Sequence, residues 1–207
     1  WIDVHCNVQR REINGPALVG LKSTKDRATR SGLNANLRGS GSALVTSADG
    51  QFGMWMPNPV WSLDTRHAGS VTAQASLFGA SASLVELSHL QSNLHLTSAT
   101  DAVIRWLRLS VGKGIRVEAR RGVEIRRLPA VELQLQWQIQ RVGESTPFRG
   151  SCHVFRCQNR FFAFLFTAPR DHFETLQADA ARILASVQLT PEELAPEPRG
   201  PLAKPGR

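Results

Sequence analysis

Tyrosine is absent from the 207-residue chain, cysteine occurs 3 times and methionine twice, and only 4 of the 25 basic residues are lysine. Each shortage excludes something. Three cysteines cannot build the multi-disulfide scaffold of a small secreted domain. They also fall short of a four-ligand thiolate zinc site, whose cysteines come as closely spaced pairs. Apolar runs are short, residues 161–166 being typical, against the roughly 18 residues that a membrane helix requires. No P-loop, GxGxxG, HExxH or GxSxG pattern occurs. The signatures of a phosphate cradle, a dinucleotide fold, a zinc protease and a nucleophile elbow are therefore missing.

What is present in excess is arginine. The formal charge is +8, and it is unevenly placed. Eight basic side chains, Arg105, Arg108, Lys113, Arg116, Arg120, Arg121, Arg126 and Arg127, face only Glu118 and Glu124 within their stretch. Such a concentration attracts an anionic partner or surface. Nucleic acid is one such partner, but only Trp106 interleaves with these arginines, whereas nucleic-acid surfaces combine cations with stacking rings. Arginine in place of lysine and the missing tyrosine are also what a GC-rich genome produces. Charge alone names no partner.

The chain is apolar enough, at 42% hydrophobic residues, to fold around a core. Its two ends differ from its middle. Residues 1–50 are poorly periodic and rich in Ser, Asn, Gly and Arg, which predicts an irregular or mobile lead-in. Residues 190–207 hold five prolines and predict an extended, disordered tail. The chain opens at Trp1 without an initiator methionine, as a processed product or a fragment would.

Residues 51–189 are regular. Phe52, Met54 and Met56 alternate, as do Val71, Ala73, Ala75 and Leu77, and a third strand follows over residues 83–89. Thr100 stands as an N-cap, with Val103, Trp106, Leu107 and Val111 at helical spacing and Gly112 and Gly114 as the stop. A hairpin is expected around Arg120, Arg121 and Gly122. Val131, Leu133, Leu135, Trp137 and Ile139 then alternate with Glu132 and four glutamines, a half-buried antiparallel strand. A second hairpin joins residues 151–157 to 161–167. Asp171 and Glu174 suggest a capping box for a last helix, whose stripe is Phe173, Leu176, Ala180, Ile183, Leu184 and Val187. Runs of antiparallel strands, each followed by a helix, predict an α+β fold. It takes the form of an α/β/α sandwich, with a central, mainly antiparallel sheet of six to seven strands and a helix on each side.

Residues able to do chemistry are scattered. Cys152 and Cys157 fall on opposite faces of one strand, about 16 Å apart, too far for a disulfide. Cys152 and His153 are adjacent in that strand and point apart. His89 and His95 have Glu86 nearby but no nucleophile. No catalytic residue, metal ligand set or cofactor site is readable.

Two landmarks resemble the PsbP-like superfamily, which includes photosystem II extrinsic proteins and DcrB-like bacterial lipoproteins. One is Gln51-Phe52-Gly53-Met54-Trp55-Met56-Pro57 followed by Trp61. The other is the strand from Arg160 to Thr167, the Ala168-Pro169 step and the terminal helix ending at Leu189. The resemblance covers residues 51–189. It implies a non-catalytic module that binds proteins and assists assembly or acts like a chaperone, in an extracytoplasmic or membrane-peripheral setting. Its partner would be a protein or an anionic membrane surface, met through the basic stretch. Two other roles follow less directly, an extrinsic subunit or assembly factor of a photosynthetic complex and nucleic-acid binding through the same arginines.

Overall fold

The computed structural model describes residues 43–57, 60–111, 114–141 and 144–190. Among the described residues, nine strands and two α-helices run in the order β1 (Ala43–Thr46), β2 (Gly53–Met56), β3 (Ser62–His67), β4 (Ser70–Ala75), β5 (Ala80–Glu86), α1 (Leu96–Ser110), β6 (Arg116–Ile125), β7 (Leu128–Arg141), β8 (Glu144–Cys157), β9 (Arg160–Pro169) and α2 (Arg170–Ala185). Seven strands form one sheet in the order β3-β4-β5-β9-β8-β7-β6, every neighbouring pair antiparallel. β1 and β2 make a separate two-stranded ribbon. One helix covers each face of the sheet, the sandwich expected from the sequence.

The centre of the sheet explains the layering. β9 is buried along nearly its whole length, because its side chains are apolar on both faces. Phe162, Phe164 and Phe166 pack with Phe173, Leu176, Ala180 and Ile183 of α2. Phe161, Ala163 and Leu165 pack with Ala99, Val103 and Leu107 of α1. A strand of this kind needs cover on both sides. On β7 the alternating series behaves as expected on the α1 face, where Val131, Leu133, Leu135 and Trp137 are buried. The ribbon closes the α2 layer: Phe52 meets Phe162 edge-on at 5.6 Å, and Gly53 and Gln188 exchange both main-chain hydrogen bonds at 2.8 Å.

Several local expectations are corrected. The segment taken for a lead-in contains β1, held by pairing with β2, with Val45 buried; residues 1–42 and 191–207 lie outside the described ones. β3 gives no alternating signal because none of its residues is buried. Leu77 leaves the strand for a single 3-10 turn and is 87% exposed. The hairpin expected around Gly122 does not form, since β6 runs unbroken through it. The chain turns instead at Arg126 and Arg127, both left-handed with φ of 50° and 64°. That is a two-residue hairpin turn normally given to Asn-Gly, so its sequence shows no turn residue. α1 starts at Leu96 after His95, and Thr100 lies inside it, donating its hydroxyl to the Leu96 carbonyl at 2.7 Å. This back-bond is how a threonine is satisfied within a helix. α2 begins directly after Pro169 with no side-chain cap, and Glu174 pairs with Arg149 rather than closing a capping box.

Two glycines separate space from propensity. A Cβ on Gly150 would lie 3.0 Å from the Phe166 carbonyl oxygen and 3.1 Å from the Trp137 ring, whereas one on Gly122 meets nothing within 4 Å. In urea denaturation Gly150→Ala is expected to lose about 1–3 kcal/mol through overpacking. Gly122→Ala is expected to be neutral or to gain about 0.5 kcal/mol.

Candidate functional site

The basic residues sort themselves by strand register and helix period. On α1, Thr97, Asp101, Arg105 and Arg108 recur at helical spacing and share one flank. That flank lies along β6, because Arg120 donates to the Asp101 carboxylate at 2.7 Å and to the Thr97 carbonyl at 3.2 Å. Arg105 and Arg108 continue the same flank toward the start of β6 and are exposed. Arg120 stands opposite Leu133 and so faces α1, whereas Arg116 and Arg121 stand opposite Gln136 and Glu132 and face the other side. The sequence run therefore becomes a stripe wrapped around the β6 edge. Arg126 is drawn out of it by donating to the Val187 carbonyl. Arg127 is exposed at the turn, and Lys113 lies outside the described residues. Arg105, Arg108, Arg116 and Arg127 make no ion pair with a described residue.

Sequence reasoning missed a polar cluster on the α2 face, where that helix does not reach. One row of the sheet places Arg121, Glu132 and His153 side by side on β6, β7 and β8. Glu132 is only 7% exposed. It accepts from Arg121 Nε at 2.6 Å and from the Gln134 amide, with His153 Nε2 at 4.0 Å. Burial works to raise the Glu132 pKa, but the Arg121 hydrogen bond, the charge of His153 and the Gln134 amide outweigh it and hold the carboxyl below its usual range. Burial lowers the His153 pKa, with Arg121 acting in the same sense and Glu132 against it. His153 Nδ1 and Arg149 Nε are buried without a hydrogen-bond partner.

The chemistry available is that of binding. Burial pushes the Cys152 thiol up to about 12, so almost no nucleophilic thiolate exists at neutral pH. Among the described residues no three His, Cys, Asp or Glu side chains group closely enough to hold a metal ion. Among them too, no helix is long and apolar enough to cross a membrane.

No protein-family model matches the chain, and no curated protein is similar to it in sequence. Solved structures are. The solution structure of cyanobacterial PsbP (CyanoP) from Synechocystis sp. superposes with a TM-score of 0.52 at 12% identity, covering 74% of this chain and 95% of that one. The fold is PsbP-like. Weaker likenesses link the chain to PA94 of Pseudomonas aeruginosa, a putative regulator of unknown function (TM-score 0.40, 14% identity, 77% of this chain and 99% of that one). LpqN, involved in cell envelope biogenesis of Mycobacterium tuberculosis, gives a TM-score of 0.38 at 13% identity, over 74% of this chain and 92% of that one. At these identities the likeness is one of fold.

Within this PsbP-like sheet the buried row has a pH signature. Both pKa values are depressed on folding, so the unfolded chain binds more protons and stability falls as pH falls. The loss due to His153 begins near its unfolded value of 6.5, and that due to Glu132 below 4.5. Melting curves followed by circular dichroism from pH 7.5 to 4 are expected to show both stages. His153→Gln, which keeps a donor opposite Glu132, is expected to flatten the upper one.

Proposed function

We propose that this chain is a non-catalytic protein-binding module of the PsbP/DcrB-like type, which helps to assemble or stabilise a complex through its arginine stripe. The observation that supports this reading is the partition of the arginines. Those needed by the fold are engaged: Arg120 with Asp101, Arg121 with Glu132, Arg149 with Glu174 and Arg160 with Glu86. Arg105, Arg108, Arg116 and Arg127 are exposed along one edge, where fixed positive charge steers and orients an acidic partner. The Cys152 thiol is held protonated by burial, and burial also lowers the His153 pKa and weakens it as a base, which favours binding over catalysis.

The partition also says which residues to change. Reversing Arg120 or Arg121 would leave Asp101 or the buried Glu132 without a counter-charge and confound binding with folding. Reversing Arg105, Arg108, Arg116 and Arg127 together to Glu leaves the internal pairs intact. Affinity capture with the folded fourfold variant is expected to lose the partner that the parent chain retains. Parent capture is expected to weaken several-fold between about 50 and 200 mM salt. Capture unchanged by the four reversals sinks the assignment of the surface.

A further inference from the structure

We propose that the outer edge of β6 is a strand-addition site, on which an extended acidic segment of the partner protein pairs as an eighth strand of the sheet. This rests on the protein-binding reading above and states how that partner is held.

The two edges of the sheet are treated differently. β3 is six residues long, has a register shift between Leu63 and Thr65, and its His67 carbonyl accepts from Ala48 of the β1–β2 connection at 3.0 Å. That edge is short and bent, which is how exposed edges are blunted. β6 is ten residues long and, after a register shift of its own between Val117 and Ala119, pairs without interruption from Ala119 to Ile125; no described strand pairs with its outer side. Its register fixes which main-chain groups are available. Ile125 stands opposite Leu128 across the two-residue turn, so Ile125, Val123 and Arg121 direct their N–H and C=O groups to β7. Those of Glu124, Gly122 and Arg120 point outward.

Side chains choose the occupant. An added strand lies about 4.8 Å beyond β6 and sends alternate side chains to the two faces. On one face they pass beneath the α1 flank that carries Arg105 and Arg108, beside Arg120. On the other they stand beside Arg116 and Arg121. Opposite charges across neighbouring strands attract and like charges repel, so alternating carboxylates fit. Glu118 and Glu124 share β6, but Arg105, Arg108, Arg116, Arg120 and Arg121 outnumber them. Gly122 lies mid-edge with no atom within 4 Å of a Cβ built on it, which leaves room for close approach of another backbone. Main-chain pairing supplies affinity in this mode, and the flanking side chains supply selectivity.

Hydrogen–deuterium exchange on the full chain tests the inference, with a ten-residue peptide of alternating Glu and Thr as probe and its Lys-for-Glu version as control. The Glu peptide is expected to slow exchange at the Arg120, Gly122 and Glu124 amides, and the Lys peptide to leave them unchanged. Gly122→Pro removes one outward N–H from an edge strand while sparing the β6–β7 bonds. It is expected to weaken the Glu peptide by about tenfold or more, a loss of about 1.4 kcal/mol, while Gly122→Ala binds like the parent. Protection confined to α1, or binding abolished by the fourfold arginine reversal yet untouched by Gly122→Pro, overturns strand addition and leaves the protein-binding reading standing. Slow exchange of these three amides in the peptide-free chain shows the edge already occupied and overturns it as well. So does dimerisation of the parent chain that Gly122→Pro abolishes. If the Glu peptide binds and the fourfold reversal leaves its affinity unchanged, the wider reading falls too.

Discussion

Burial of β9 on both faces is the constraint from which the architecture follows. Six consecutive apolar residues, Phe161 to Phe166, alternate between two cores, and each large side chain removed from water contributes about 1.5–3 kcal/mol. Such a strand cannot lie at an edge or leave a face bare. It therefore takes the middle of the sheet, with β5 on one side and β8 on the other, and it requires a helix above and a helix below. The aromatic contacts around it, Phe166 with Phe173 at 5.2 Å and Phe155 with Phe162 at 5.9 Å, make the α2 layer a ring-packed core. The α1 layer is built mostly of aliphatic side chains.

Moving outward from β9 across the α2 face, the sheet changes character within two strands. Phe164 gives way to His153, His153 to Glu132, and Glu132 to Arg121 along one row. The helix ends its cover at that boundary, marked by the Glu174–Arg149 pair at 3.1 Å. A buried carboxylate survives there because a guanidinium, an amide and an imidazole surround it; without them its desolvation would force it neutral. The same arrangement divides labour among the arginines. Arg120, Arg121, Arg149 and Arg160 face carboxylates, whereas Arg105, Arg108, Arg116 and Arg127 make no ion pair with a described residue.

How much of this was legible in the sequence depends on the range of the interaction concerned. The two-faced apolar strand at residues 161–166, the one-faced series from Val131 to Ile139 and the stripe of α2 are periodic patterns, and each resolves into the element it predicts. The arginine cluster was legible as a run, but its wrapping around an edge was not. Only the pairing of Arg120 with Leu133 and of Arg121 with Glu132 shows that neighbours in sequence face opposite ways. Glu132 looked like one more solvent-facing residue of an amphipathic strand, because its cover comes from β6 and β8. The turn at Arg126 and Arg127 was hidden for a related reason. Its left-handed backbone is imposed by the pairing of two long strands and by the Arg126 bond to Val187, and no local preference announces it.

The strand order holds a further consequence. β3, β4 and β5 form one meander and β6, β7, β8 and β9 another, each built by pairing successive strands. They meet along a single seam, β5 against β9, where Leu84 stands opposite Phe164 about 80 residues further along the chain. The loop-closure entropy of the sheet is concentrated in that one pairing. Without that seam, β9, whose residues 161–166 are all apolar, is itself an open edge. The order in which this protein gains its structure is thus a question about one interface inside its sheet, and the phenylalanines that hold the finished fold are the groups most exposed before it.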